Sequence, residues 1–195
     1  MTESIYLIAG LGNPGKEYKN TRHNIGFMLA DRLAERLGLK FSRLESKALV
    51  TRGEYQAHKV ILAKPQTFMN LSGTAVGALL RYYKAPLSNL LVAYDDVDLP
   101  PGTVRIRPGG SSGGQKGMAS IIERVGTADF PRLRLGIGRP PGRMEAADYV
   151  LQSFSTGDLA VIQPAIERGV DAALLFIAQG LEAAMNQYNG AAQLE

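Results

Sequence analysis

The fold class is decided near the start of the chain by the stretch L-I-A-G-L-G-N-P-G-K-E-Y, residues 7–18. An apolar strand runs directly into Gly-x-Gly-x-x-Gly at positions 10–15, the spacing of a dinucleotide-binding fingerprint. Such a fingerprint needs a helix that opens at the second glycine, with its N-terminus on the pyrophosphate. Pro14 and a polar run follow instead, and no apolar helical stripe begins before Ile25. This disfavours a nucleotide-cofactor enzyme. We expect the glycines to turn the chain sharply and to present Asn13 at the carboxyl end of the first strand.

Outward from this stretch, apolar runs of strand length alternate with segments of helical period. Strands are predicted over residues 4–9, 48–53, 58–63, 90–94, 103–107 and 132–137, and helices over residues 24–37, 71–84 and 116–125. The C-terminal third is predicted to be helical, with Pro164 starting or kinking a helix. The alternation predicts an α/β fold: a single domain, residues 1–195, with a mixed, largely parallel twisted sheet flanked by helices on both faces.

Composition limits the possible classes of protein. The chain has 195 residues, 45% of them hydrophobic, which is enough for one buried core. Its net charge of +4 suits a polyanionic partner, but equally a soluble protein that is simply basic. It has no cysteine, so disulfides and cysteine-based metal or nucleophile chemistry are excluded. No signal peptide is evident, and no apolar run approaches the roughly 20 residues of a membrane span. We therefore expect a cytoplasmic protein.

A second glycine-rich loop, G-G-S-S-G-G-Q-K-G, covers residues 109–117. A Walker A motif ends in Gly-Lys-Ser/Thr, whereas here Gln115 precedes Lys116 and Gly117 follows it. The feature that remains is a flexible backbone leading to a helix N-terminus, whose free N–H groups can meet a phosphate or a carbonyl oxygen. The alternative is a loop that is only mobile.

The chain has two histidines as candidate bases. His23 lies in T-R-H-N-I-G, a polar and glycine-flanked segment shortly after the first strand. It is the strongest candidate for a base that titrates near neutral pH. His58 opens a predicted strand and is interpreted as structural.

Carboxylates follow the buried strand that ends near Tyr94. Asp95 is expected at the carboxyl end of that strand, where it can accept an N–H from His23, fix its tautomer and stabilise its charged form. Alternatively, Asp95, Asp96 and Asp98 hold Mg²⁺, which prefers oxygen ligands. A third interpretation is that Asp98 only caps the following Pro-Pro-Gly turn.

The stretch K-P-Q-T-F-M-N-L-S-G, residues 64–73, precedes the second predicted helix. Asn70 suits the N-cap of that helix, but this role does not explain the apolar residues Phe68 and Met69 beside it. Alternatively, Phe68, Met69 and Asn70 together present an apolar surface and an amide to a ligand. No Gly-x-Ser-x-Gly motif is present. The residues therefore favour direct attack by a water molecule that His23 deprotonates, with asparagine side chains holding the water and the electrophile.

These motifs together resemble the bacterial-type peptidyl-tRNA hydrolases. The matching stretches occur in order as G-L-G-N-P-G with Tyr18, T-R-H-N-I-G, T-F-M-N-L-S-G, D-D-V-D-L-P-P-G, G-G-x-x-G and R-L-R-L-G-I-G, and they span nearly the whole chain. The resemblance implies a monomeric, metal-independent esterase without a cofactor or obligate protein partner. It would cut the ester between a peptide and the 3′ end of tRNA, contacting the acceptor stem and the CCA end.

The resemblance also implies roles for individual residues. His23 resembles the general base and Asp95 its orienting partner, while Asn13 would help to distinguish blocked from free aminoacyl groups. Asn70 would bind the peptide main chain or the catalytic water. The residues implied to line the substrate channel are Tyr18, Phe68 and Met69. Those implied to meet tRNA phosphate are Arg105, Arg107 and Arg134.

One departure from the family's pattern concerns the second glycine-rich loop. The family usually has Gly-Gly-His-Asn-Gly there, whereas this chain has Gln115 and Lys116 in the third and fourth places. Lys116 donates hydrogen bonds but cannot accept them. We expect it to bind substrate by neutralising phosphate near the tRNA 3′ end, with the chemistry retained. A catalytically silent relative that binds RNA through its basic face is the competing hypothesis.

Overall fold

The structure, a computed structural model, describes residues 3–190. The strands are β1 (Ile5–Gly10), β2 (Arg43–Glu45), β3 (Ala48–Tyr55), β4 (His58–Pro65), β5 (Leu90–Asp96), β6 (Val104–Arg107) and β7 (Arg132–Gly136). The helices are α1 (Ile25–Arg36), α2 (Ser72–Tyr83), α3 (Lys116–Val125), α4 (Ala146–Tyr149), α5 (Thr156–Gln179) and α6 (Leu181–Tyr188). Residues 191–195 of the predicted helical third lie outside the described range.

The seven strands form one sheet in the order β2-β3-β4-β1-β5-β7-β6. The centre, β4-β1-β5-β7, is parallel, whereas β2, β3 and β6 pair antiparallel at the two edges. Helices cover both faces, so the predicted α/β fold class is confirmed. Because β1 and β5 are parallel neighbours, their carboxyl ends lie side by side, where such sheets bind ligands.

Alternation along the strands divides the buried side chains between two cores. In β1, Ile8 packs in a cluster with residues of α1, α5 and α6. Its neighbours Leu7 and Ala9 face the opposite cluster, which includes residues of α2 and α3. Each helical layer thus has its own core, and the sheet separates them.

The glycines of the opening motif serve mainly close packing. A Cβ on Gly10 would lie 2.1 Å from the carbonyl oxygen of Gly26 in α1, and a Cβ on Gly12 would lie 2.7 Å from the Phe27 ring. Of the three motif glycines only Gly15, with φ of 115°, has the left-handed conformation of a sharp turn. The expectation of a turn is therefore right for Gly15, whereas at Gly10 and Gly12 the close approach of α1 leaves no room for a side chain.

Two parts of the C-terminal half differ from the sequence prediction. The helix containing Pro164 does not start there: α5 begins at Thr156, where Ser155 and Asp158 form a capping box. Pro164 is tolerated because it and Ala160, whose carbonyl loses its helical partner, are both exposed to solvent. The short helix α4, at one wall of the site described below, was predicted only as part of the helical C-terminal third and not as a separate element.

Candidate active site

The site lies at the carboxyl ends of the central strands. Asn13 follows β1, Asp95 lies at the end of β5, and Met69 begins the 3₁₀ turn Met69–Leu71 between β4 and α2. His23 is in the 3₁₀ turn Arg22–Asn24 that leads into α1. The sheet topology therefore brings together the polar residues expected from three separate motifs.

His23 and Asp95 form a hydrogen-bonded pair. The imidazole Nδ1 lies 2.8 Å from Asp95 Oδ2, and the two side chains are 11% and 2% exposed. Because a carboxylate only accepts, Nδ1 carries the proton and Nε2 keeps its lone pair. His23 also lines the cleft, so the arrangement provides a base oriented by a buried acid.

Asn13 is held by three hydrogen bonds that settle the direction of its amide. Its side-chain Oδ1 accepts from the Met69 backbone N–H at 2.7 Å. Its own backbone N–H donates to Asn24 Oδ1 and its carbonyl accepts from Asn24 Nδ2, both at 2.9 Å. With Oδ1 occupied, the Asn13 amide turns its N–H₂ donors towards the cleft. Asn24, a residue to which sequence reasoning gave no role, fixes this geometry.

The cleft above the pair has a volume of about 580 Å³. Much of its lining comes from three segments: Phe68 and Asn70, here called the Phe68 wall; α4 with Leu151, here called the α4 wall; and loop residues 112–116, here called the rim. Phe68 is 59% and Leu151 45% exposed, so both present apolar surface to an incoming ligand.

Two details of the Phe68 wall correct the sequence interpretation. Met69 is buried rather than exposed, because its backbone and sulfur face Asn13 and Gln115. Asn70 is not the N-cap of α2: it lies within the preceding 3₁₀ turn, and Leu71 occupies the cap position without a side-chain bond. Asn70 is instead exposed in the cleft.

The α4 wall is tied to the segment that carries His23. The backbone N–H of His23 donates to the Val150 carbonyl at 2.7 Å, and that of Arg22 donates to the Gln152 carbonyl at 3.1 Å. The Arg22 guanidinium donates to the same carbonyl and to Asp158 at the start of α5, and stacks 4.5 Å from the Tyr149 ring centre. The base and the apolar wall therefore form one connected unit.

The three carboxylates proposed as Mg²⁺ ligands have separate partners. Asp95 bonds His23, Asp96 Oδ2 accepts from Arg134 at 2.7 Å, and Asp98 accepts from Arg139 at 3.0 Å. Within residues 3–190 no cluster of three or more potential side-chain ligands for a metal is found. Asp96 Oδ1 accepts the Asp98 backbone N–H at 2.8 Å and closes a turn before Pro100, whereas within residues 3–190 no hydrogen bond joins the Asp98 side chain to the Pro-Pro-Gly turn that it was expected to cap.

Comparison with known proteins assigns the chain to a family. The family model described as peptidyl-tRNA hydrolase matches residues 7–195. The chain belongs to the peptidyl-tRNA hydrolase family. The peptidyl-tRNA hydrolase of Caldanaerobacter subterraneus subsp. tengcongensis is 50% identical over 95% of this chain and 100% of its own length. That of Chloroflexus aggregans is 51% identical over 95% and 99%. The crystal structure of the peptidyl-tRNA hydrolase from Acinetobacter baumannii matches with a TM-score of 0.90, 34% identity and 97% coverage of both chains.

In this member of the peptidyl-tRNA hydrolase family, Gln115 touches the pair directly. Its Nε2 lies 3.0 Å from Asp95 Oδ1, the oxygen that His23 does not use. Sequence reasoning noted Gln115 as a departure but assigned it no contact. Lys116, next to it, is exposed at the first position of α3 and lines the cleft.

The three arginines expected to meet phosphate lie on β6 and β7, and none of them is among the residues that line the cleft. Arg105 stands directly opposite Arg134 across the antiparallel pair, and exposed Arg107 stands opposite Arg132. Burial acts to lower the pKa of Arg134, but the hydrogen bond and charge of Asp96 outweigh it and raise that pKa. Within the described residues neither Arg105 nor Arg107 forms an ion pair, so no neighbouring carboxylate offsets their positive charge towards an anionic partner.

Arg132 differs from these three because it is buried. It is 1% exposed and donates to the carbonyls of Ser111 and Ala128 at 3.0 and 2.6 Å. It thereby holds the glycine-rich loop at the rim of the cleft.

Tyr18 does not line the cleft, contrary to expectation. Gly15 turns the chain into the 3₁₀ turn Lys16–Tyr18, where Tyr18 is half-buried. Its carbonyl accepts from the backbone N–H and the hydroxyl of Thr21 at 3.0 and 2.8 Å. Its contribution is therefore to the loop that precedes His23.

Proposed function

We propose that this chain hydrolyses the ester between a peptide, or another N-blocked aminoacyl group, and the 3′ end of tRNA, with His23 as general base. Membership of the peptidyl-tRNA hydrolase family supports the activity, and the expected ester hydrolase is confirmed. The observation that supports the role of His23 is its 2.8 Å bond to buried Asp95 at the cleft.

In the proposed reaction, Nε2 of His23 removes a proton from a water molecule as its oxygen attacks the ester carbonyl carbon. The carbonyl electron pair moves to oxygen and forms a tetrahedral intermediate. Its collapse breaks the bond to the ribose oxygen, which takes the proton back from Nε2. Free tRNA and the peptide acid leave. Asp95 stabilises the transient imidazolium and keeps the ring oriented.

The two cleft asparagines supply neutral donors to this reaction. The N–H₂ of Asn13 is aimed by the Met69 contact and is suited to stabilise the developing oxyanion or to bind the carbonyl of a blocked amino group. Such a carbonyl distinguishes a blocked substrate from a free aminoacyl group. Asn70, exposed at the Phe68 wall, binds the peptide main chain or the attacking water.

The basic groups near the cleft bind the RNA. Arg105, Arg107 and Arg134 meet backbone phosphates, which guanidinium groups bind without reading sequence. Lys116 neutralises phosphate near the 3′ end. We further propose that residues 1–195 act as one domain and as a cytoplasmic monomer without a cofactor. Within residues 3–190 no helix has the length and apolarity needed to cross a membrane.

Hydrolysis of an N-acetyl-aminoacyl-tRNA, with the unblocked aminoacyl-tRNA as control, tests the proposal. Wild type is expected to cleave only the blocked substrate, in the presence of EDTA, and His23→Ala is expected to abolish cleavage. A folded wild type that binds tRNA but cleaves neither substrate would instead support the RNA-binding relative.

A further inference from the structure

We propose that Gln115 is a positioning residue that fixes the Asp95 carboxylate and, through it, the imidazole of His23. The proposal rests on the proposed function of His23. Gln115 contacts the pair through a single bond of 3.0 Å from its Nε2 to Asp95 Oδ1. It does not reach His23, so any effect on the base passes through the carboxylate.

The contact matters because Asp95 is 3% exposed. One carboxylate oxygen bonds His23 and the other bonds Gln115, so both are satisfied. Removing the amide donor would leave a charged oxygen buried without a partner, which strongly favours rotation of the carboxylate. Rotation of the carboxylate would in turn loosen the Nδ1–H bond that directs Nε2 into the cleft.

The direction of the Gln115 amide is determined by its second bond. Its Oε1 accepts the Met118 backbone N–H at 2.7 Å and so caps α3. With the oxygen occupied at the helix, the N–H₂ group faces Asp95. The sulfur of Met69 lies 3.2 Å from the same nitrogen. One side chain thus links the helix, the carboxylate and the wall of the cleft.

The glycine-rich loop has no freedom to withdraw Gln115 without uncapping α3. The Gln115 backbone N–H donates to the Ser112 carbonyl at 3.1 Å. On the other side, a Cβ on Gly117 would lie 2.5 Å from Met69 Sδ, so the helix start packs closely on the cleft wall.

Two variants separate the positioning role from helix capping. Asn is a favourable N-cap, so Gln115→Asn keeps an acceptor for α3, but its amide is one methylene too short to bond Asp95. Gln115→Glu keeps both the length and the capping oxygen, but replaces the donor with a negative charge beside Asp95. Gln115→Asn is expected to keep the wild-type melting temperature more closely than the wild-type rate, whereas Gln115→Glu, which buries a second carboxylate beside Asp95, is expected to lower both.

The first measurement is steady-state hydrolysis of N-acetyl-aminoacyl-tRNA. For Gln115→Asn we expect kcat to fall roughly ten- to a hundredfold, the range for one hydrogen bond to a charged group, with KM within about twofold of wild type. For Gln115→Glu we expect a similar loss and a displaced pH–rate profile.

The second measurement is ¹⁵N NMR of the imidazole nitrogens in the free protein, which needs no substrate. The chain has only two histidines, and His58 is the internal reference. Wild type is expected to show His23 as the Nδ1–H tautomer, and Gln115→Asn a mixture of tautomers. An unchanged kcat in Gln115→Asn would overturn the proposal, as would a lower kcat with the wild-type tautomer. If wild type proves inactive, the proposed function fails while the NMR comparison still decides the role of Gln115.

Discussion

Asn24 holds the backbone of Asn13 through two hydrogen bonds of 2.9 Å, one accepted and one donated by its side-chain amide. The pair connects the loop after β1 to the turn that carries His23. Because Asn24 is 2% exposed, no solvent replaces either bond if it is lost. Asn13, the residue proposed to face the substrate, is therefore held by a residue that does not itself line the cleft.

Asn24→Asp tests this relationship. It keeps the acceptor but sets a buried carboxylate oxygen against the Asn13 carbonyl. We expect a loss of about 2 kcal/mol or more in the free energy of unfolding, measured in urea, and a lower kcat. Asn20→Asp, an exposed residue with the same change of charge, is the control and is expected to stay within about 0.5 kcal/mol. Equal stability of both variants would contradict the account.

Gly26→Ala tests the close approach of α1 to β1. The added Cβ would lie 2.4 Å from the Ala93 carbonyl oxygen and 2.5 Å from the Leu11 nitrogen. We expect a destabilisation of about 1–3 kcal/mol and reduced activity, because α1 starts directly after the His23 turn. In Gly157→Ala the added Cβ would meet Ser155 Oγ at 3.8 Å, an ordinary contact distance, so this control is expected to be neutral or more stable by up to about 1 kcal/mol. A Gly26→Ala variant as stable as wild type would show that α1 is not tightly packed against β1.

Asp158 gives a prediction for acid stability. Hydrogen bonds from the Ser155 cap, assisted by the charge of Arg22, hold the pKa of Asp158 below its ordinary value, against a smaller opposing effect of burial. A lowered pKa stabilises the fold above the unfolded-state pKa, and that contribution disappears as pH falls through the folded-state pKa. Asp158→Asn should therefore lower the melting temperature at neutral pH and have a smaller effect in strong acid. The size is modest because the side chain is 39% exposed.

The control for this effect is Asp148→Asn, since Asp148 is exposed and forms no ion pair within residues 3–190. Its melting temperature is expected to follow that of wild type at all pH values. A constant difference between Asp158→Asn and wild type across the acid range would rule out the linkage.

Arg107→Gln tests the phosphate-binding edge. Arg107 is exposed on β6 at one edge of the sheet, so its loss should raise KM for the tRNA substrate and reduce the slope of log affinity against log salt by about one. The matched control is Arg43→Gln, on strand β2 at the opposite edge, which is 64% exposed. Equal salt slopes for the two variants would show that the RNA does not contact Arg107 on β6.

Periodicity predicted most of the regular structure because the elements are strongly patterned. Helix α3, for example, has the predicted bounds, since Gln115 caps it and Gly126 ends it in the left-handed conformation. Strand β2 was missed, and helix α4 was covered only by the general prediction of a helical C-terminal third, because three or four residues do not establish a period. Pro164 lies inside α5 and does not start it; the Ser155–Asp158 capping box that marks the start was not used in the sequence prediction.

Within the site, the sequence indicated the residues that stand at strand ends. Asn13 and Asp95 follow apolar runs, so each was expected at the carboxyl end of a strand, whereas the pairing of β1 with β5 that brings them together is known from the structure. The supporting contacts were not predictable, because Gln115 and Asp95 are 20 residues apart and their contact depends on how α3 packs. Likewise, no local pattern in the sequence predicts that Arg132 is buried among backbone carbonyls.

The central claim is that His23 removes the proton from the attacking water, and the pH dependence of kcat/KM on N-acetyl-aminoacyl-tRNA tests it most directly. For wild type we predict a rate that rises with pH through a single ionisation and then levels, as the imidazole loses its proton. His23→Ala should lose both the rate and the ionisation. A flat wild-type profile, or an ionisation that persists in His23→Ala, would contradict the assignment.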